Sequence, residues 1–278
     1  MKKTYLILIL TILSFNLYAP PNCELYNDDN IPCLESCNLA MKAIRYEQGS
    51  FQSQQYFDES IEMCPNFAYS YMEKAVPYLK RGQFIKWKEL IDKAVKIAPR
   101  EYLGYRGWCR LQFLRDYYGA INDIEELKKI EKYDIGYCQT GDYHLNIALA
   151  LCYKETGNLK KARELFLQQV NTKNYHQGLY DYYHFGILEY EDGNFQQAIE
   201  YFKKQIENND YLGETYYYIA MAYKNLGDIE IYKENLNKSK KYYIDGKFRI
   251  DTYTETIDKI YLIDIIKEKT ESNNIYCK

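Results

Sequence analysis

Residues 68–101 read AYSYMEKAVPYLKRGQFIKWKELIDKAVKIAPRE, and this stretch gives the clearest indication of the fold. Small and apolar residues recur three or four positions apart on both sides of Gly82, which places them on one face of a helix. Glycine suits the left-handed position that follows a helix, because it has no Cβ atom to clash. The stretch therefore predicts two helices joined by a tight turn.

The same arrangement recurs along the chain at a nearly constant interval. The turn column contains Gly49, Gly82, Arg115, Gly157, Gly193 and Gly227, and the apolar column two residues later contains Phe51, Phe84, Tyr117, Leu159, Phe195 and Ile229. Successive apolar marks lie 33, 33, 42, 36 and 34 residues apart. Small residues dominate two further columns, because antiparallel helices approach closely only where side chains are short. The chain is therefore predicted to be an array of helix pairs.

A helix-turn-helix unit of about 34 residues resembles the tetratricopeptide repeat. In residues 68–101 the resemblance rests on Tyr71, Ala75, Tyr78, Gly82, Phe84, Ala94 and Pro99. It implies an all-α helical solenoid of about six repeats with a C-terminal capping helix. The unit at 101–134 fits less well, because the spacing between Arg106 and the Asp116–Ala120 stretch is one residue too long.

The predicted organisation follows from these units. Residues 35–134 hold repeats one to three, 135–142 are an inserted loop, 143–246 hold repeats four to six, and 247–278 form a capping helix and tail. The surplus residues of the insertion, 131–142, are interpreted as a harmless loop, a bend in the stack or a contact surface. The last helix is predicted from about Asp251 to Lys269. Ile265 and Ile266 make it apolar enough to leave a dimer contact open.

The N-terminus has the pattern of a secretory signal peptide. Lys2 and Lys3 precede an apolar run from Tyr5 to Leu13. That run is too short to span a membrane, which needs roughly 20 residues. We therefore expect residues 1–19 to be a signal peptide and 20–34 an extension, in an exported bacterial protein of the periplasm, the outer envelope or the medium. A retained anchor is the alternative, and Pro20 leaves the cleavage site open.

Composition and motifs exclude several functional classes. The chain has 278 residues, with 36 Lys plus Arg against 39 Asp plus Glu and 47% hydrophobic residues, so it is not disordered. A mildly acidic chain without a basic cluster is a poor nucleic-acid binder. His144, His176 and His184 belong to no metal-ligand or catalytic motif. We therefore expect no enzyme activity, no cofactor, no metal and, after signal removal, no membrane span.

Eight cysteines matter in an exported chain, because disulfides persist outside the cytoplasm. Cys33 and Cys37 open the first helix of unit one, and Cys64 ends its second helix, so an antiparallel pair makes them neighbours. A bridge from Cys37 to Cys64, or from Cys33 to Cys64, is predicted. Cys109 and Cys152 are interpreted as small buried residues. Cys138 and Cys277 are expected to be free.

Tyrosine is over-represented, with 33 copies against 11 phenylalanines. The resemblance implies that first helices line a concave groove, and the family's groove positions select a candidate ligand set. That set is Tyr69, Met72, Arg106, Arg110, His144, Ile147, Lys154, Tyr180, Tyr183, Tyr190, Tyr217, Met221 and Lys224. Tyrosine combines a large contact area with a hydroxyl group, which suits binding surfaces. The scattered positive charge favours an acidic ligand.

Three functions are compatible with such a groove. The first is a non-enzymatic scaffold that binds a peptide segment or a partner protein along the groove. The second is an envelope glycan-binding protein, in which tyrosine rings stack on sugars. The third is a self-assembling structural component, a homo-oligomer formed through the terminal helix.

Overall fold

The computed structural model of the chain describes residues 20–26 and 31–275. The predicted signal peptide, residues 1–19, lies outside the described residues. Within those ranges the chain forms thirteen α-helices and no strand. They are α1 Ile31–Ala43, α2 Phe51–Met63, α3 Ala68–Lys80, α4 Phe84–Ile97, α5 Pro99–Cys109, α6 Tyr117–Ile130, α7 Leu145–Glu155, α8 Leu159–Val170, α9 Asp181–Glu191, α10 Phe195–Asn208, α11 Gly213–Leu226, α12 Ile229–Ile244 and α13 Leu262–Ile275.

Helices α1 to α12 form six successive antiparallel pairs, and each pair packs on the next. The all-α solenoid that the repeat pattern predicts is therefore confirmed. The small residues of the pattern lie where the helices cross. Ala150, Ala162, Ala198 and Ala220 are fully buried. At Gly186 a Cβ atom would come within 2.4 Å of the Phe202 ring, so only glycine allows this approach of α9 to α10.

The third unit departs from the pattern in a way that explains its spacing. Residues Arg110–Leu114 continue α5 as a π-helical turn, which accommodates one more residue than an α-helical turn. Arg115 then takes the left-handed position that glycine holds in the other units, with φ of 53°. The extra residue is therefore absorbed inside the helix, and the turn that follows keeps its place.

Two disulfides tie down the first repeat. Cys33 bonds to Cys64 at the end of α2, and Cys23 bonds to Cys37. Of the two pairings that the sequence left open, the structure forms Cys33–Cys64. Cys37–Cys64 does not form, because the N-terminal 3₁₀ turn Cys23–Leu25 brings Cys23 to Cys37. Cys109, Cys138 and Cys152 are buried free thiols.

The C-terminal region corrects the prediction of a helix from Asp251. The helix begins only at Leu262, and residues 247–261, here called the groove segment, are not helical. The Asp251 carboxylate accepts hydrogen bonds from the backbone N–H groups of Tyr253 and Thr254, at 2.8 and 2.9 Å, and such local bonds compete with helix formation. Asp258 has φ of 56°, which also interrupts a helix. Instead of capping the stack, the segment turns back along its concave side.

Candidate functional site

The groove segment lies in the concave groove and is held there by its main chain. Tyr183 donates its hydroxyl to the Asp258 carbonyl oxygen at 2.6 Å, and Tyr243 donates to the Ile260 carbonyl oxygen at 2.5 Å. Arg115 donates to the carbonyl oxygen of Glu255. These three hydrogen bonds go to backbone carbonyl oxygens and do not depend on the side chains of the segment. The groove therefore holds the segment partly through its main chain, and the segment itself folds back, since Arg249 donates to the Ile257 carbonyl oxygen at 2.7 Å.

At one end of the segment, Asp258 enters a cationic position between α7 and α9. Its carboxylate accepts from Lys154 Nζ at 2.8 Å and from His184 Nδ1 at 2.6 Å. The Lys154 side chain is 2% exposed and the Asp258 side chain 7%. Burial acts to raise the pKa of Asp258, but Lys154 and His184 hold that pKa well below its usual value. Burial acts to lower the pKa of Lys154, but Asp258 and the neighbouring glutamates hold it above its usual value. The pair is therefore charged.

His184 is the neutral partner in this network. Burial lowers its pKa to about 4, although the hydrogen bond to Asp258 acts in the opposite direction. Since a carboxylate only accepts, the proton of the neutral ring sits on Nδ1. Nε2 is then an acceptor, 3.0 Å from the Tyr143 hydroxyl and 3.3 Å from Arg249 Nη1. The imidazole thus links the Asp258 position to the Arg249 position.

The side chain of Arg249, near the start of the groove segment, lies among aromatic side chains. Its guanidinium carbon lies 4.4 Å from the centre of the Tyr180 ring, a distance at which a cation is attracted to the ring face. The same group donates to the Tyr143 hydroxyl at 2.6 Å and to the Ile257 carbonyl oxygen at 2.7 Å. Arg249 is only 6% exposed. An arginine is thus buried among tyrosines of the groove wall.

Several residues of the sequence-derived groove set lie at this site. Lys154, Tyr180 and Tyr183 contact the groove segment directly. Lys224 bonds to Glu268 of α13, and Tyr217 and Met221 pack near the same helix. Tyr190 is half-buried, with its ring centre 5.7 Å from that of Tyr218. Because Arg249 covers the rings of Tyr180 and Tyr183, the glycan interpretation lacks the open ring faces that it requires at these two residues.

The structure places the other predicted groove residues elsewhere. Met72 and Ile147 are fully buried in the helix-packing core, and Tyr69 is 7% exposed. His144 is the N-cap of α7 and lies 2.6 Å from Asp134 of the inserted loop. These positions match the repeat pattern, but the tight stack and the loop enclose them.

Arg106 and Arg110 are also not groove cations. Arg106 pairs with Asp92 at 2.8 Å and with Asp123 at 2.6 Å. Both carboxylates belong to second helices, α4 and α6, so Arg106 points to the outer layer. Arg110 lies 3.2 Å from Asp123 and 3.6 Å from Asp116. The π-helical turn after Cys109 shifts the register that the sequence pattern assumed.

Sequence reasoning missed the residues that fill the groove. Arg249 and Asp258 lie in the segment that was predicted to be a turn and a helix, and Tyr143 precedes α7. One feature of the sequence argued against a helix here. Threonine occupies alternate positions at Thr252, Thr254 and Thr256, and β-branched residues disfavour a helix. The apolar residues at helical spacing outweighed that signal.

The inserted loop has a structural role of its own. It folds back so that Cys138 N–H donates to the Tyr143 carbonyl oxygen and Leu145 N–H donates to the Gly136 carbonyl oxygen, at 2.8 and 2.9 Å. The loop forms one wall of a mainly apolar cavity of about 630 Å³, with Gly104 and Leu127 on the opposite side. It lies at the edge of the stack, outside the groove described above.

In the part of the chain that the structure describes, no helix combines the length and apolar character needed to cross a bilayer. Among the same residues, His, Cys, Asp and Glu side chains do not gather into a group of three or more that could hold a metal ion.

The fold and the filled groove define a helical-repeat protein of the kind that mediates contacts between proteins. Residues 143–175 match the sequence profile of the tetratricopeptide repeat. That stretch is a tetratricopeptide repeat, and the whole array has the fold of a tetratricopeptide-repeat solenoid, which is typical of protein–protein interaction scaffolds. No curated protein sequence matches the chain significantly.

Solved structures with the same fold are similar over most of the chain. PilW, a type IV pilus biogenesis factor, superposes with a TM-score of 0.60 at 15% identity, covering 76% of this chain and 94% of its own. PilF of Pseudomonas aeruginosa gives 0.59 at 14% identity, covering 75% and 92%. YrrB, a TPR protein with an unusual peptide-binding site, gives 0.52 at 17% identity, covering 68% and 93%. Sequence identities this low show that the fold is similar and nothing about function.

Proposed function

We propose that the protein is a non-enzymatic scaffold that binds a peptide segment or a partner protein along its concave groove, in the cell envelope or outside the cell. The predicted signal peptide, residues 1–19, supports the location. The repeat fold supports a protein or peptide as the partner. A pilus biogenesis factor and a peptide-binding protein among the structural neighbours are compatible with this role.

One observation carries the proposal: the groove already holds a non-helical segment by bonds to its backbone oxygens. The donors that hold it belong to the repeats, namely Tyr183 on α9, Tyr243 on α12 and Arg115 after α5. A donor that bonds to a carbonyl oxygen tolerates any residue at that position. The groove therefore has the chemistry to hold a non-helical peptide from another protein.

In this chain the groove segment and a partner peptide compete for one space. The partner binds only molecules whose segment has left the groove, so its apparent affinity falls in proportion to the open fraction. Partner binding is thus expected to depend on how firmly the segment is held.

Three forms of the full chain test this dependence. In a locked form, Gln112→Cys and Thr254→Cys are designed to tie the segment down by a disulfide, at a point where Thr254 Oγ1 lies 3.1 Å from the Gln112 carbonyl oxygen, and peptide mapping without reductant verifies that the bond has formed. In a released form, Arg249→Ala and Asp258→Ala remove the two buried anchors. A Glu255→Gln form, altered at an exposed side chain of the same segment, is the matched control.

The measurement is quantitative capture of envelope proteins by each form, followed by mass spectrometry. A groove partner is captured most by the released form and least by the locked form, and reduction of the lock restores capture. If the locked and released forms capture the same proteins equally, partners bind the outer surface and the groove proposal is wrong.

A further inference from the structure

Two charged side chains of the groove segment are buried, and the groove has a separate position for each. Arg249 and Asp258 are nine residues apart in sequence, and both are buried against residues of the repeats. The segment between them is mostly exposed from Asp251 to Glu255 and buried again at Thr256 and Ile257. The segment is thus anchored by two buried charges, and Arg115 holds its exposed middle through the Glu255 carbonyl oxygen.

The position for the guanidinium consists of tyrosines. Tyr180 presents its ring face at 4.4 Å, Tyr183 lies 5.3 Å away, and the Tyr143 hydroxyl accepts a hydrogen bond at 2.6 Å. A guanidinium is planar and weakly hydrated, so it stacks on aromatic faces more readily than an ammonium group does. This position therefore selects arginine over lysine.

The position for the carboxylate consists of one cation and one neutral donor. Lys154 supplies the charge at 2.8 Å and His184 the second donor at 2.6 Å, both on buried faces of α7 and α9. Two donors aimed at two oxygens suit a carboxylate. An amide would present an NH₂ group to one of these donors and lose that hydrogen bond.

The groove segment does not satisfy these positions completely. Arg249 Nε and Thr256 Oγ1 are buried and have no hydrogen-bond partner among the described residues. Asp258 reaches its position only with a left-handed backbone, at φ of 56°, which is unfavourable for a residue other than glycine. A buried polar atom without a partner weakens the complex that contains it. The segment is therefore a replaceable occupant.

Arg249 and Asp258 lie close together although nine residues separate them, because both bond to the ring of His184, at 3.3 and 2.6 Å. We propose that the groove recognises peptides that fold back into a loop and carry an arginine and, about nine residues later, an acidic residue, and that the groove segment is a built-in competitor of that ligand. This inference rests on the proposed function, since it names the ligand chemistry of the same groove.

The test uses a labelled synthetic peptide with the sequence of residues 247–261, KFRIDTYTETIDKIY, and fluorescence anisotropy. We expect the released form, Arg249→Ala with Asp258→Ala, to bind it at least about tenfold more tightly than the unaltered chain. Peptides with Arg249→Lys or Asp258→Asn should each bind the released form about tenfold more weakly, whereas a Glu255→Gln peptide should bind equally.

A substitution in the groove tests whether Lys154 recognises the acidic residue of the peptide. Lys154→Met in the released form should weaken the original peptide about tenfold and leave the Asp258→Asn peptide little affected, because the lost pair is already absent. If circular dichroism shows that the released form is unfolded, Arg249→Lys with Asp258→Asn, which keeps the side-chain volumes, replaces it.

The outcomes separate this inference from the proposed function. Equal binding of all peptides overturns the arginine-and-acid selectivity, as does no binding by a folded released form. If the released form still captures envelope proteins that the locked form does not, the groove is a partner site with a different ligand chemistry. If the released form instead pairs with a second copy of itself, as light scattering would show, the segment is a domain-swapping element and the competitor role is wrong.

Discussion

Lys154 and Asp258 form an ion pair that is almost completely shielded from water. Shielding makes each charge expensive without its partner, so removing one side harms the fold more than the pair itself contributes. Lys154 keeps two other carboxylates nearby, Glu155 at 2.7 Å and Glu191 at 3.4 Å, whereas Asp258 depends on Lys154 and His184 alone. The residue in the groove segment is thus the better point at which to break the pair.

We expect Asp258→Ala to lower the free energy of unfolding by about 3 kcal/mol, because it leaves a buried lysine partly compensated. Urea denaturation followed by circular dichroism measures the change. Glu255→Ala, three residues earlier and exposed, should stay within about 0.5 kcal/mol of the unaltered chain. If both variants lose the same stability, the pair does not contribute what its burial implies.

His184 should make the protein less stable as the pH falls. Its pKa is lowered from 6.5 to about 4 in the folded state, so the unfolded chain binds the proton first. Stability is therefore complete above about pH 6.5 and declines towards pH 4, by at most about 1.4 kcal/mol per pH unit from this residue. Burial also lowers the pKa of His144, which adds a slope of the same sign.

Urea titrations at several pH values between 4 and 7 test this dependence. In His184→Gln the slope over that range should become shallower without vanishing, since His144 remains. Asp258 has a depressed pKa, so its contribution disappears only at still lower pH, below the usual range of an aspartate. A His184→Gln variant with an unchanged slope would mean that His184 is not buried as a neutral ring.

At the scale of the helices, the first repeat depends on covalent bonds more than the others do. Helix α1 packs against α2 and partly against α3, and among the described residues only the 3₁₀ turn Cys23–Leu25 precedes it. The Cys33–Cys64 bridge closes a loop with a sequence separation of 31 residues. In the chain-entropy description, a loop of that size corresponds to about 3–4 kcal/mol. The bridge thus offsets the missing neighbour.

We expect Cys33→Ala with Cys64→Ala to destabilise the first repeat by up to about that amount, with Cys152→Ala, a buried free thiol, as the matched control. Peptide mapping without reductant should recover Cys33 joined to Cys64 and Cys23 joined to Cys37. Hydrogen exchange should show faster exchange confined to α1 and α2 in the double variant. Recovery of a Cys37–Cys64 peptide instead would contradict the pairing.

The helices themselves were largely predictable, because their ends are determined by neighbouring residues. The turns need a residue with a left-handed backbone, and glycines such as Gly157, with φ of 81°, meet that need without a steric clash. A short window of sequence is enough to recognise them. The π-helical turn at Arg110 was visible only as one residue too many. The groove segment was not predictable from such windows. Arg249 bonds to Tyr143, 106 residues away, and Asp258 bonds to Lys154, 104 residues away. The path of the groove segment therefore depends on distant partners that no local sequence pattern reveals.

At the scale of the whole molecule, the groove segment changes how the solenoid holds together. In a plain repeat array each unit contacts only its neighbours, so stability propagates step by step. Here Gln112 after α5, Lys154 on α7, His184 on α9 and Tyr243 on α12 all contact one segment. Repeats three to six therefore share a common partner as well as their interfaces, and we expect them to unfold as one cooperative unit.

Hydrogen exchange with mass spectrometry tests that cooperativity. In the unaltered chain, α5, α7, α9 and α12 should show similar protection, because opening any of them requires the segment to leave. In Arg249→Ala with Asp258→Ala, protection should fall in all four helices and become unequal, while the disulfide-bonded α1 and α2 change little. Glu255→Gln should match the unaltered chain. Protection lost only in residues 247–275 would mean that the segment rests on the groove without coupling the repeats. Loss across all four helices would mean that the occupant of the groove determines the stability of repeats three to six, so that exchange of the segment for a partner would affect four of the six repeats.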